Sequence, residues 1–189
     1  MENGILSIMK SNEQLADKIE AVCSIRLDGI TDPDAERRYS IPGEIFASDF
    51  GGGQFVFLSD GSIGYMGQED ECGRIAENVT ELFELTLNCA DSFYNYSKKK
   101  FMNDSVLLKQ EIAKNEPQAI EEFFDAFGDD YGDDYEAIRK EVADALGITI
   151  SKDISEDVLP RYYKSATRDP LYFWENVEAG ERSEDLLHY

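Results

Sequence analysis

The sequence predicts an α+β fold in which helices pack on a small antiparallel sheet and the C-terminal part is helical. Apolar residues make up 42% of the 189 residues and aromatic residues 12%, enough to bury a core. Between residues 39 and 76, short apolar runs separated by glycine turns predict strands, and helical spacing on either side predicts helices. No Pro- or Ser-rich linker interrupts the chain. We therefore expect a single domain over residues 1–189, with a core at about 11–97 and a helical extension at about 101–189.

The first predicted helix begins near residue 11. Ser11 is a suitable N-cap, and Gln14 is its capping-box partner three residues later. The apolar positions that follow recur at helical spacing: Leu15, Ile19 and Val22. The polar segment 28–38 contains Gly29 and Pro33, and it predicts a loop.

Three short strands separated by two turns are predicted in the central region. A short strand at 45–47 and a second strand at 54–58 flank a glycine turn at 49–53. This turn lacks the lysine and the spacing of a phosphate-binding loop, so a backbone turn is favoured over a phosphate site. Asp60 and Gly61 then separate the second strand from a third at 63–66. Asp-Gly between apolar runs is a strong signal for a type I′ turn.

The type I′ turn fixes the expected pairing of the hairpin formed by the strands at 54–58 and 63–66. Leu58 then faces Ile63, and Phe55 faces Met66. One face of the hairpin is expected to carry Val56, Leu58, Ile63 and Tyr65, and the other Phe55, Phe57, Gly64 and Met66. Because both faces are apolar, we expect both to be covered, or one to be left for a partner.

A further helix is predicted after the strands. The acidic segment 68–73 predicts a turn, and residues 74–76 begin another short strand. Asn78 is a good N-cap, with Glu81 at the third helical position. The helix would cover one face of the hairpin with its apolar stripe. This stripe consists of Val79, Leu82, Phe83, Leu87, Ala90 and Tyr94.

Three helices are predicted in the C-terminal part. The first begins at Asp104 or Ser105 and ends near Lys114, and the second begins at Pro117, which suits a first helical turn. The third ends at Gly147, a residue favoured just after a helix. Its apolar positions are Tyr135, Ile138, Val142, Ala145 and Leu146. Segments 157–163 and 170–174 predict shorter helices or turns.

The composition is strongly acidic. Forty Asp and Glu residues stand against 18 Lys and Arg residues, a formal net charge of −22. Affinity for nucleic acids comes largely from cations that displace counterions, so direct nucleic-acid binding is not expected, and the same sign disfavours an anionic membrane. Opposite charge favours a basic protein partner. Acidity that serves only solubility is the alternative explanation.

Residue types needed for most catalytic and metal sites are scarce. Cys23, Cys72 and Cys89 are too widely spaced for a zinc or redox motif, and three free thiols suit a reducing, cytoplasmic location. His188 is the single histidine, which removes Ser-His-Asp, Cys-His and His-rich metal chemistry. We therefore predict no metal site and no cofactor, whereas enzymes that use carboxylates, Lys or Tyr remain open at this point. No apolar stretch is long enough to predict a membrane-spanning helix.

A tandem Gly-Asp-Asp-Tyr repeat occupies residues 128–135. Aligning Gly132 with the sixth position of an EF-hand loop places Phe127 and Ile138 where carboxylates are required, so a calcium loop is not predicted. The repeat lies in segment 116–136, which contains nine acidic residues and no Lys or Arg. A solvated acidic loop and a partner-binding surface both explain such a segment.

Two acidic surfaces are the candidate partner-binding sites. One lies beside the hairpin and the other in the acidic segment, where two tyrosines would supply interface anchors. The candidate residues are Glu69, Asp70, Glu71, Glu121, Glu122, Asp125, Asp129, Asp130, Tyr131, Asp133, Asp134 and Tyr135.

Several short motifs resemble the SUKH superfamily. They are IPGEIFASD at 41–49, GGQF at 52–55 and DGSIGY at 60–65, followed by GRIAEN at 73–78 running into LFEL at 82–85. The similarity covers about residues 40–97, and a weaker one runs from ALGI at 145–148 to LPRYY at 159–163. The motifs are structural and turn-forming.

The resemblance implies a mixed α+β fold and a non-enzymatic function. Bacterial SUKH proteins are commonly immunity proteins that bind and neutralise a cognate polymorphic toxin, often a nuclease. We therefore expect a cytoplasmic immunity protein whose partner is a basic toxin domain. A regulatory or scaffold adaptor that binds a host protein is the alternative, and an enzyme using carboxylates is a third possibility, although no spacing singles out a carboxylate pair.

Overall fold

The computed structural model describes residues 4–30, 36–89, 92–132 and 134–188. The predicted α+β class is confirmed, because the chain combines α-helices with one five-stranded sheet and one three-stranded sheet. The helices are α1 (Gly4–Ser11), α2 (Glu13–Cys23), α3 (Val79–Asn88), α4 (Ser105–Tyr131), α5 (Tyr135–Leu146), α6 (Ile154–Asp157) and α7 (Leu159–Ala166). The strands are β1 (Arg38–Tyr39), β2 (Gly43–Ser48), β3 (Gln54–Leu58), β4 (Ile63–Met66), β5 (Glu71–Ala76), β6 (Trp174–Asn176), β7 (Glu181–Arg182) and β8 (Glu184–Asp185).

The N-terminal region contains two helices where the sequence predicted one. Ser11 ends α1 and does not cap α2, so the predicted cap is wrong. The cap is Asn12, whose side chain accepts a hydrogen bond from the Leu15 amide at 3.2 Å. Asn and Ser cap helices about equally well, so local preference alone did not decide between these neighbours. The predicted stripe of α2 is buried as expected: Leu15, Ile19 and Val22. The predicted loop 28–38 falls partly on residues outside the described ranges.

The larger sheet has the strand order β2-β3-β4-β5-β8. Its first four strands form an antiparallel meander, and β8 adds to β5 in parallel. The glycine turn between β2 and β3 forms as predicted. Asp49 closes it, because its amide donates to the Gly53 carbonyl at 3.0 Å and its side chain accepts from the Gly53 amide at 2.8 Å.

The pairing of β3 with β4 differs by one residue from the predicted register. Phe57 pairs with Ile63 and Phe55 with Tyr65. The loop has three residues, since the Leu58 amide donates to the Ser62 carbonyl at 2.9 Å. Of these three residues only Gly61 has a positive φ, +87°. A type I′ turn needs positive φ at both central residues, and Asp60 does not adopt it.

The shifted register changes which side chains share a face. The face carrying Phe55, Phe57, Ile63 and Tyr65 contacts the main core, which includes the stripe of α3. The opposite face contributes Val56 and Leu58 to a second, smaller core. The other fully buried members of this smaller core are Ile41, Cys72, Tyr172 and Trp174. Both faces are therefore covered, which was one of the two predicted outcomes.

Strand β5 is longer than predicted, and α3 is capped as predicted. Residues 71–73, expected in a turn, belong to β5. The tight turn ends at Asp70, which has a φ of +69°. At the start of α3 the Asn78 side chain accepts from the Glu81 amide at 3.0 Å. The predicted stripe residue Ala90 lies outside the described residues.

A single 27-residue helix, α4, replaces the two helices predicted around Pro117. Pro117 lacks an amide proton and usually breaks a helix interior. Here the helix continues because both halves are anchored, by buried Leu108 before the proline and buried Phe123 after it. Helix α5 ends at Gly147 as predicted, with a φ of +67°.

The end of the chain is less helical than predicted. Helices α6 and α7 cover most of segment 157–163, but Trp174 begins strand β6 instead of ending a helical piece. Strands β1, β6 and β7 form the antiparallel three-stranded sheet. None of the described helices combines the length and the apolar character required to cross a membrane.

Candidate functional site

The C-terminal half of α4 carries an exposed acidic surface. Glu121, Glu122, Asp125, Asp129 and Asp130 are all exposed. Within the described ranges none of the five forms an ion pair, and Glu122 accepts a hydrogen bond from the neutral Gln118 amide at 2.8 Å. We call these five residues the α4 acidic face.

The two cations of α4 lie on its N-terminal half and are already paired. Lys109 contacts Asp153 at 2.9 Å and Glu156 at 2.8 Å. Lys114 contacts Glu111 at 3.7 Å. Neither compensates the α4 acidic face, so the negative charge there faces solvent.

Helix α2 extends this negative surface. Tyr131, at the end of α4, is half-buried beside the carboxylates of Asp17, Glu20 and Asp130. Burial and then these carboxylates raise the pKa of Tyr131. The hydroxyl therefore stays protonated and can donate a hydrogen bond at neutral pH.

The remaining predicted residues near α5 have structural positions. Tyr135 is buried, with its ring centroid 4.9 Å from that of Phe123, so it contributes to the core and is not available as a surface anchor. Asp134 is exposed but caps α5, accepting from the Ala137 amide at 2.9 Å. Asp133 lies outside the described residues.

The three acidic residues beside the hairpin differ from one another. Glu69 is exposed. Asp70 forms an ion pair with Arg37 at 2.7 Å, which reduces its availability to a partner. Glu71 is only 6% exposed, and one of its oxygens accepts a hydrogen bond from the Tyr94 hydroxyl. Only Glu69 of this group is both exposed and without an ion pair among the described residues.

A cleft of about 530 Å³ brings parts of both predicted surfaces together. It lies between the end of α2, the glycine turn, the β4–β5 turn and α4. Its carboxylates are Asp49, Glu69, Glu71 and Glu122. Its aromatic residues are Phe50, Phe55, Tyr65, Phe93, Tyr94, Phe123 and Phe127. No Lys, Arg or His lines it within the part of the chain that is described.

Two tyrosine–carboxylate pairs lie in this cleft. Tyr65 donates to Asp49 at 2.6 Å, and Tyr94 donates to Glu71. Burial, followed by the neighbouring carboxylate, raises the pKa of Tyr65 and of Tyr94 above the ordinary tyrosine value. Both hydroxyls are therefore donors at neutral pH, and the carboxylates are acceptors.

The three cysteines are free and buried, as predicted. Cys23 and Cys89 line the cleft, and Cys72 lies in the smaller core. Burial raises the pKa of the Cys23 and Cys72 thiols to about 12, so neither is an activated thiolate. No group of three or more metal-ligating side chains occurs in the described ranges.

Asp49, Tyr65 and Tyr94 were not predicted as site residues. Their positions, separated by up to 45 residues of sequence, converge only after β2, β4 and the segment beyond α3 fold together. No sequence motif of fixed spacing predicts that these three residues lie together. Comparison of the chain with protein-family models, with characterised proteins and with solved structures finds no match.

Proposed function

We propose that the protein is a bacterial, cytoplasmic immunity protein that binds a cognate toxin, a basic nuclease domain, and neutralises it. The observation that carries this proposal is the α4 acidic face, five exposed carboxylates without an ion pair among the described residues. The resemblance of segment 40–97 to SUKH proteins supports the same function.

The physical basis of the inhibition is charge complementarity. A nuclease holds its substrate with Lys and Arg side chains that contact phosphates. The α4 acidic face would bind these cations, steer the encounter and prevent nucleic acid from reaching them. Half-buried Tyr131 lies at the end of this face and would add a hydroxyl donor and an aromatic contact.

Coexpression with the product of the adjacent gene, followed by pull-down, tests the proposal. We expect a stable complex that is lost in the triple variant Glu121→Lys, Asp125→Lys, Asp129→Lys. The matched control is Glu44→Lys, Glu178→Lys, Glu181→Lys, which changes the charge equally at exposed positions away from α4. Absence of any complex would contradict the function, whereas equal binding of the two variants would contradict only the assignment to α4.

A further inference from the structure

The cleft contains a buried carboxylate that no cation in the described residues neutralises. Glu71 is 6% exposed and forms no ion pair with a described Lys, Arg or His. Burying an ionised carboxylate is strongly unfavourable unless it is paired or fully hydrogen-bonded. The chain itself supplies only a neutral hydroxyl, from Tyr94.

The second oxygen of Glu71 remains an open acceptor. Tyr94 donates to Oε1, whereas Oε2 receives no hydrogen bond from the described residues. Oε2 lies against Gly67, where a Cβ atom would approach it to 2.3 Å. Both Glu71 and Gly67 line the cleft. A donor that enters the cleft therefore finds an accessible lone pair on a buried charge.

The rest of the cleft selects the ligand by size and polarity. A volume of about 530 Å³ lies in the range of small-molecule sites and exceeds what a single side chain of a partner would fill. Seven aromatic residues line the walls and favour an apolar ligand body and a cation beside it. The absence of basic side chains among the described lining residues disfavours an anion.

We propose that this cleft binds a small organic amine, with a protonated primary ammonium on Glu71 and an apolar body among the aromatic rings. The ammonium offers N–H donors to Glu71 Oε2, the carboxylate oxygen that no described residue satisfies. Half-buried Asp49 is a second carboxylate in the lining of the same cleft. A quaternary ammonium has no N–H and leaves Glu71 Oε2 without a donor. This site does not depend on the proposed toxin partner.

Titration calorimetry with matched ligand pairs tests the proposal. The primary amines are phenethylamine, tyramine and cadaverine, and their neutral counterparts are phenylethanol, tyrosol and pentanediol. We expect at least one amine to bind saturably and roughly ten- to hundredfold more tightly than its counterpart, the effect of a charge-assisted hydrogen bond. Failure of all three amines to bind, or equal binding of amine and alcohol, would overturn the proposal.

A variant pair assigns the binding to Glu71. Glu71→Gln keeps the acceptor for Tyr94 but removes the charge, and we expect it to weaken amine binding roughly ten- to hundredfold. Glu44→Gln removes an exposed charge outside the cleft and should leave binding unchanged. Circular dichroism checks that both variants fold. If Glu71→Gln does not fold, the comparison of amine with alcohol binding on the unaltered protein still decides whether the cleft binds an amine. Equal affinity for a capped lysine tripeptide would assign the cleft to a partner's side chain and contradict a small-molecule site.

Discussion

Arg74 is a buried cation that joins the β3–β4 turn to the segment after α7. It is 1% exposed and contacts Asp60 at 2.8 Å and Ser62 at 2.8 Å. It also donates to the carbonyls of Arg168 at 2.8 Å and Pro170 at 3.2 Å. The Arg74 side chain thus fixes the three-residue turn that the sequence alone did not predict.

Replacing Arg74 tests this role at the level of a single residue. Arg74→Gln leaves two carbonyls and the Ser62 hydroxyl oxygen without their donor and removes one of the two guanidinium groups on Asp60, the other being that of Arg168. We therefore expect the free energy of unfolding to fall by about 3 kcal/mol. Arg38→Gln, at an exposed position, should change it by less than about 0.5 kcal/mol. Urea denaturation measures both. A loss of unfolding free energy as small as that of the control would show that the contacts of Arg74 add little to stability.

Asp60 makes part of this stability dependent on pH. Burial raises the pKa of Asp60, but hydrogen bonds from Ser62 and the Arg74 guanidinium outweigh it and hold the pKa below the ordinary value. The folded state therefore binds fewer protons than the unfolded state. The contribution is fully present above the unfolded pKa and is lost as the pH falls through the lower folded value.

The expected result is a smaller acid-induced loss of stability in Asp60→Asn. The stability difference between the natural protein and this variant should shrink as the pH falls below about 4. Urea denaturation across an acidic pH series measures that difference, which isolates Asp60 from the other carboxylates. A difference that stays constant down to the lowest pH would show that the folded pKa of Asp60 is not lowered.

Helix α4 shows at the level of elements why local signals are insufficient. Asn78 predicted the start of α3 and Gly147 the end of α5, since each cap depends on neighbours in sequence. Pro117 gave the wrong boundary, because contacts of Leu108 and Phe123 with distant residues offset a local cost of about 3 kcal/mol. The predicted hairpin register was wrong for a similar reason. The conformation of the turn at Asp60 depends on a contact with Arg74, which is fourteen residues away in the sequence.

Two glycines inside elements, one in α4 and one in β5, offer a matched test of how those elements pack. Gly128 lies within α4, and a Cβ atom there would meet nothing closer than the Phe124 Cβ at 4.0 Å. Gly128→Ala should therefore raise stability by about 0.5–1 kcal/mol. At Gly73, in β5, a Cβ atom would lie 2.6 Å from the Leu186 Cβ. Gly73→Ala should lower stability by about 1–3 kcal/mol.

Urea denaturation of both glycine variants distinguishes the two environments. If Gly128→Ala is destabilising, the C-terminal half of α4 is not a continuous exposed helix. If Gly73→Ala is neutral, Leu186, the residue after β8, does not pack against β5 as described. The α4 result matters for function, since the same helical segment displays the α4 acidic face.

Charge dominates at the scale of the whole molecule, and its distribution matters more than its total. Residues 1–100 carry a net charge of −9 and residues 101–189 carry −13, so the excess is spread over both parts. Some of the acidic residues are neutralised by ion pairs, among them Asp60, Asp70 and Asp153. The α4 acidic face has none among the described residues, which distinguishes it from acidity spread evenly for solubility.

Sequence reasoning identified the candidate surface but not its boundaries. The run of acids without Lys or Arg predicted the α4 acidic face directly. The predicted site residues also included Glu71, beside the hairpin, and Tyr135, and both side chains are buried. A polar or aromatic residue in a sequence does not by itself reveal which way its side chain points. The cleft depends on contacts among distant segments and was not predictable from spacing.

Salt dependence tests the electrostatic part of the proposed complex. Exposed charges separated by more than about 8 Å are largely screened at physiological ionic strength, so we expect affinity for a basic partner to fall steeply as salt is added. Titration calorimetry at a series of salt concentrations measures this slope. The triple variant Glu121→Lys, Asp125→Lys, Asp129→Lys should flatten it, and an affinity independent of salt would indicate an apolar interface instead.

Inhibition of the adjacent gene's product is the most direct measurement. The nuclease activity that we propose for this product would be titrated with the protein at constant substrate. We expect that activity to fall to background near one molar equivalent. The α4 triple variant should no longer inhibit, whereas the control variant of Glu44, Glu178 and Glu181 should still do so. Full nuclease activity in the presence of excess natural protein would contradict the account.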